Sequence, residues 1–190
     1  RPEEVVLQSG PFRLVGDLRL PAGHGPHPVV VFVHGDGPVY REGTDNPSLR
    51  GTGVGYAPIM ERMLRAGYAT LSWDKPGTGA STGRFEERRL HEQRARIVVD
   101  AIEFLKTRPD IDPRRIGLWG FSQGGYVMSW ALGMSRDISF AIAVSNAGVP
   151  GAEQSGYMVA AQGACAGMPR ADAARVESLF VAVNRAQTYP

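Results

Sequence analysis

The run Gly120-Phe121-Ser122-Gln123-Gly124-Gly125 constrains this chain more than any other stretch. It follows Arg115-Ile116-Gly117-Leu118-Trp119, a short apolar run introduced by the turn pair Asp112-Pro113. It precedes Tyr126-Val127-Met128-Ser129-Trp130-Ala131-Leu132, which reads as a buried helix. A strand that turns straight into a helix leaves no room for side chains two residues before and two residues after the apex. Gly120 and Gly124 meet that demand, and Ser122 then stands at the strand's C-terminal end beside the free N–H groups of a helix start. The pattern alone is weak. With 24 Gly and 11 Ser in 190 residues, a Gly-rich turn carrying an ordinary hydroxyl would read the same way.

Three further signals give the pattern a context. The first is Pro28-Val29-Val30-Val31-Phe32-Val33-His34-Gly35-Asp36-Gly37, a continuous apolar run that reads as a central strand buried on both faces. It ends in a loop whose backbone N–H groups are free to turn toward a ligand. Beside a nucleophilic serine such a loop supplies half of an oxyanion hole, and the residue after the serine supplies the other half. The expected donors are the N–H of Asp36 (or Gly37) and the N–H of Gln123, with His34 and Gly35 shaping the loop. His34 is on the wrong strand to serve as a catalytic base.

The second signal is the strand Tyr68-Ala69-Thr70-Leu71-Ser72-Trp73-Asp74 running into Lys75-Pro76-Gly77-Thr78-Gly79-Ala80-Ser81. Gly77, Gly79 and Gly83 invite a dinucleotide reading. Pro76 and the polar run to Arg84 argue for a loop instead of a helix start, so Asp74 reads as a turn former that accepts hydrogen bonds from nearby N–H groups.

The third signal is alternation. Residues Val5 to Ser9 and Phe12 to Leu20 read as a hairpin turning at Gly10-Pro11, Tyr56 to Ala66 as a helix stopped by Gly67, and Phe140 to Ser145 as one more buried strand. His91 to Thr107 is the clearest helix, with Val98, Ala101, Ile102 and Leu105 on one side and Glu92, Arg96 and Glu103 on the other. Strands alternating with helices after an antiparallel start predict an α/β fold, a mostly parallel sheet covered by helices on both faces.

On these stretches the chain resembles the α/β-hydrolase superfamily, and within it the bacterial esterase-like members near the serine aminopeptidases and prolyl oligopeptidases. The resemblance rests on residues 34–38, on residues 74–81, and most specifically on residues 112–125, where turn, strand, elbow and helix join. It implies that Ser122 is the nucleophile of an acyl hydrolase acting on a small carboxylic ester, with no cofactor. A peptidase of the prolyl oligopeptidase-like group, or a scaffold kept for binding, uses the same residues. The resemblance also implies that Gly148 to Gln154 begins a helical cap. Residues 1–149 are then the N-terminal part of the core and residues 150–190 the start of the cap.

The triad of such hydrolases runs serine, acid, histidine. The four histidines, His24, His27, His34 and His91, all precede Ser122, and His91 reads as a solvated helix start. The sheet also lacks the last two strands of that fold. The expectation is therefore a truncated hydrolase whose catalytic acid and histidine lie outside this chain. The sheet edge would associate with another molecule or with a complementary C-terminal segment.

Composition narrows the partners. The net charge is +2, and basic residues alternate with acids, as in Glu86-Glu87-Arg88-Arg89, which is a solvated surface and not a nucleic-acid footprint. Of 21 basic residues only Lys75 and Lys106 are lysines. No run approaches a membrane span, Cys165 is alone, and no metal-ligand spacing occurs. The chain opens on Arg, so a secreted destination with a removed leader stays open beside a cytoplasmic one. The long stretch Pro38 to Gly55 reads either as a wall of the acyl pocket or as a surface insertion.

Overall fold

The computed structural model describes residues 2–49, 53, 55–85, 90–146 and 148–188. Hydrophobic alternation sets the sheet. Strand β3 (His27–Val33) is buried along its whole length. Its odd residues, Val29, Val31 and Val33, pack with α2 (Leu90–Lys106) and α3 (Gly124–Met134), while Val30 and Phe32 pack with Tyr56 and Met60 at α1 (Ala57–Arg65). Successive side chains of a strand point to opposite faces, so an unbroken apolar run requires cover on both.

Around β3 the sheet runs β1 (Glu3–Ser9), β2 (Phe12–Arg19), β4 (Ala69–Trp73), β3, β5 (Ile111–Phe121), β6 (Ile138–Val144). The β1–β2 and β2–β4 pairs are antiparallel, and the other three pairs are parallel. The parallel strands β4, β3, β5 and β6 are adjacent in that order, as a mostly parallel sheet requires. In α2 the expected stripe of Val98, Ala101, Ile102 and Leu105 is fully buried. Gly67, at φ +85°, ends the turn after α1.

Three local expectations change. The pair Asp112-Pro113 lies inside β5, where residues 112–115 leave the ladder between His27↔Ile111 and Val29↔Ile116. Strand β6 is not buried: as the edge strand it is partly exposed along its length, Ile142 at 37%. Helix α3 buries one face only, through Val127, Met128 and Ala131. Trp130, expected to pack the elbow helix, is 45% exposed, and Leu132 and Met134 are exposed too.

The chain divides into two units, Arg1–Asn146 and Ala147–Pro190. In the second, α4 (Gly151–Cys165) and α5 (Arg170–Thr188) form a helical pair. Gly156 lets the backbones approach, because a Cβ there would meet Glu177 O at 3.0 Å, and Arg185 binds Glu153 at 2.6 Å. Among the described residues no helix is long and apolar enough to cross a membrane.

Candidate active site

Strand β5 delivers Ser122 directly into α3. The serine has φ +52°, a left-handed conformation that non-glycine residues rarely adopt. Neighbours on both sides hold it there. The Ser122 N–H donates to Val144 O at 3.0 Å, and its carbonyl accepts from Gly125 N–H at 3.0 Å and from the Asn146 side-chain amide. The two glycines behave as the turn requires. A Cβ on Gly120 would meet the Met128 thioether at 2.6 Å and Gly124 O at 3.0 Å, and one on Gly124 would strike Val33 O.

Gly35 brings the loop after β3 against this turn: a Cβ there would lie 3.4 Å from Ser122 Cβ and 3.2 Å from Phe121 O. Among the described residues the N–H groups of Asp36 and Gln123 donate to no partner in the chain. Asp36 is exposed. His34 is buried beneath the loop. Its Nε2–H donates to Trp73 O at 2.6 Å, and its ring stacks on Tyr56 at 5.4 Å. Burial first, then the Lys75 charge, pushes its pKa down to about 3, so the ring is neutral.

Two cations that sequence reasoning passed over lie under the same loop. Lys75 Nζ donates to Gly35 O and Gly37 O, each at 2.6 Å. Arg94, from α2, donates to His34 O, to Gly35 O at 3.2 Å, and to the Gln123 side-chain carbonyl. Both residues are buried, at 4% and 8% exposure. Burial and then the Arg94 charge push the Lys75 pKa down to about 7, against the attraction of Asp36. Burial likewise lowers that of Arg94 to about 10.

His91 is not a solvated helix start. It is half-buried and stacks on Tyr126, in the first turn of α3, at 5.5 Å. Burial and the Arg94 charge lower its pKa.

Asp74 accepts from the N–H groups of Arg41 and Ala80, as expected of a turn former, and also from the Arg41 guanidinium at 2.9 Å. Gly77 and Gly79 sit at positive φ in this turn, away from any helix start, which removes the dinucleotide reading. Of the Pro38 to Gly55 stretch, Arg41 is anchored at 6% exposure, while residues 50–52 and 54 fall outside the described residues, as do residues 86–89. Among the described residues no group of three His, Cys, Asp or Glu gathers to hold a metal ion.

The model of the prolyl oligopeptidase family matches residues 58–162, more than half of the chain and the whole elbow. The chain belongs to the prolyl oligopeptidase family. Among relatives, a thiohydrolase of Arthrinium phaeospermum is 35% identical over 95 residues, covering 50% of this chain and 31% of that protein. Among solved structures, an acylaminoacyl peptidase of Pyrococcus horikoshii superposes with a TM-score of 0.61 at 25% identity, covering 84% of this chain and 24% of that one. An esterase of Pyrococcus furiosus superposes with a TM-score of 0.63 at 19% identity, covering 95% and 64%, a likeness of fold. This family member spans about half of the length of the curated relatives it matches, or less.

Proposed function

We propose that the protein carrying this chain is a serine hydrolase of small carboxylic esters. The observation that carries the reading is Ser122 at φ +52° between β5 and α3, with Gly35 of the adjacent loop against it; among the described residues the N–H groups of Gln123, next after Ser122, and of Asp36, next after Gly35, have no partner. In this reading Ser122 Oγ attacks the ester carbonyl while a base takes its proton. The tetrahedral oxygen is held by the two N–H groups. The bond to the alcohol then breaks as the proton passes to the leaving oxygen, and water releases the acid by the reverse steps.

In this reading the base is a histidine that follows Ser122 in the whole protein, in the order serine, acid, histidine. His34 is buried, neutral and committed to Trp73 O. In the same reading α4 and α5 are the start of a helical cap. The test is hydrolysis of p-nitrophenyl butyrate by the whole protein and its Ser122→Ala variant. The expected result is a loss of about 10³-fold or more in kcat. A variant within tenfold of the parent protein ends the reading.

A second reading, cleavage of an amide, is favoured by the family match and by the likeness to a protein named as an acylaminoacyl peptidase. Ester and amide chemistry share the same groups, so the discriminating measurement is kcat/KM on matched p-nitrophenyl esters and p-nitroanilides. The ester reading expects the larger value on the ester when both are corrected for their uncatalysed rates. Turnover of neither would leave a binding scaffold.

A further inference from the structure

We propose that Lys75 and Arg94 are positioning residues that aim the Asp36 N–H at the oxyanion and lock the two halves of the hole together. The inference rests on the hydrolase reading above. Its starting point is two buried cations with no carboxylate in salt-bridge reach among the described residues. Burying an unpaired charge costs several kcal/mol, and placing two like charges under one loop adds their repulsion. What they hold is specific. Among the described residues, the hydrogen bonds of Lys75 Nζ go to carbonyls of the loop, Gly35 O and Gly37 O. The bonds of Arg94 go to His34 O, Gly35 O and the Gln123 side chain.

Peptide geometry converts this grip into a direction. In a trans peptide the C=O and the following N–H point opposite ways. The Gly35 carbonyl is drawn down to both cations, so the Asp36 N–H of the same peptide unit points away from them, out of the buried layer. Arg94 also spans from that loop to Gln123, the residue that carries the other donor. One guanidinium therefore sets the spacing between the two halves. A negative oxygen forming above the loop would also feel the Arg94 charge, and that of Lys75 where it is protonated, through a water-poor layer, where attraction is strong. Lys75 follows β4 and Arg94 lies in α2, so neither belongs to the elbow or touches the reacting atoms.

The test uses the whole protein with p-nitrophenyl butyrate as substrate and butaneboronic acid as a tetrahedral mimic on Ser122. The variants are Lys75→Met, Arg94→Met, Lys75→Arg and Arg94→Lys, with urea melts to follow folding. The Met variants should lower kcat about 10²- to 10³-fold, the scale of losing an oxyanion donor. They should leave KM within about threefold and weaken the boronate by at least tenfold. Lys75→Arg and Arg94→Lys keep charge and donors and should recover part of both. If a Met variant does not fold, its Lys/Arg counterpart must still show reduced kcat and boronate affinity at unchanged KM. Folded Met variants within about threefold of the parent in kcat and boronate affinity overturn the proposal. So does a loss of stability and kcat with boronate affinity intact, which marks a purely structural role. A Ser122→Ala protein that retains turnover overturns the parent reading and this one together. An inactive Ser122→Ala beside fully active Met variants overturns the clamp alone.

Discussion

Replacing Arg41 by Met removes the cation that neutralises Asp74, a carboxylate with 0% exposure. Three ion contacts are lost: Asp74 at 2.9 Å, Asp17 at 2.9 Å and 13% exposed, and Glu4 at 3.2 Å and 67% exposed. The Glu4 contact is exposed and contributes about 0–1 kcal/mol. The charged hydrogen bond to Asp17 contributes about 1.5 kcal/mol. Asp74 dominates, because removing one partner of a buried pair costs about 3–5 kcal/mol, and this one keeps its two backbone donors. With Asp74 at the low end of that range, the expected loss is about 4.5–5.5 kcal/mol, which for a chain of this size lowers Tm by about 10–20 °C.

The pH dependence has a definite sign. In the folded protein burial raises the Asp74 pKa, and the hydrogen bonds from the Arg41 side chain, Ala80 N–H and Arg41 N–H outweigh it, so the net shift is downward. That stabilisation is present above the unfolded value, about 3.9, and is lost as pH falls through the folded value. Without the guanidinium, burial dominates and the carboxylate accepts a proton more readily. The deficit of Arg41→Met should therefore narrow between pH 7 and pH 4. Urea denaturation followed by circular dichroism at both pH values reads this directly. Adding Asp74→Asn to Arg41→Met should cost less than the two single losses combined. A deficit under about 1 kcal/mol at pH 7, or one that widens in acid, refutes the reasoning.

Ser122→Gly should raise stability by about 1 kcal/mol while removing turnover, because glycine adopts φ +52° without strain. Thermal melts of Ser122→Gly and Ser122→Ala side by side check it, with the alanine variant showing no gain. Gly124→Ala should cost about 1–3 kcal/mol, since its Cβ would strike the backbone of Val33 rather than a yielding side chain. A neutral Gly124→Ala in a urea melt would mean that α3 is free to shift. Lys75 sits at about 7, below the ordinary lysine value of 10.5. Between those limits the unfolded chain binds the extra proton, and stability rises with pH. Melts from pH 6 to pH 10 should show that slope in the parent and a flatter one in Lys75→Met.

Much of the core was legible because it is written in short-range pattern. The run at 28–33 is apolar on both faces, the run at 69–73 is apolar on one (Ala69, Leu71, Trp73), and α2 repeats its apolar residues at helical spacing. Gly120 and Gly124 mark the elbow once an apolar strand precedes and a helix follows them, because that turn excludes side chains at both places. The misread parts depend on contacts distant in sequence. Strand β6 is apolar enough to be central, and its partial exposure follows from its place at the end of the described sheet. His91 is covered by Tyr126, 35 positions away. Nothing in the residues around Ser145 announces its positive φ, and nothing around Asn146 announces its bond to the Ser122 carbonyl. Arg94 did leave a signal that went unread. It lies three and four residues before Ile97 and Val98, so it occupies the apolar face of α2, where a charge needs a reason. Lys75 left a weaker one, as one of two lysines among 21 basic residues.

The account stands or falls on Ser122 Oγ as the nucleophile. Treating the whole protein with a fluorophosphonate and locating the adduct by peptide mass spectrometry tests this most directly. The account predicts one stoichiometric phosphonyl group on the peptide containing Ser122, absent from Ser122→Ala and abolished by prior inhibition with a boronate. An unlabelled protein, or a label on any other residue that persists in Ser122→Ala, would contradict it.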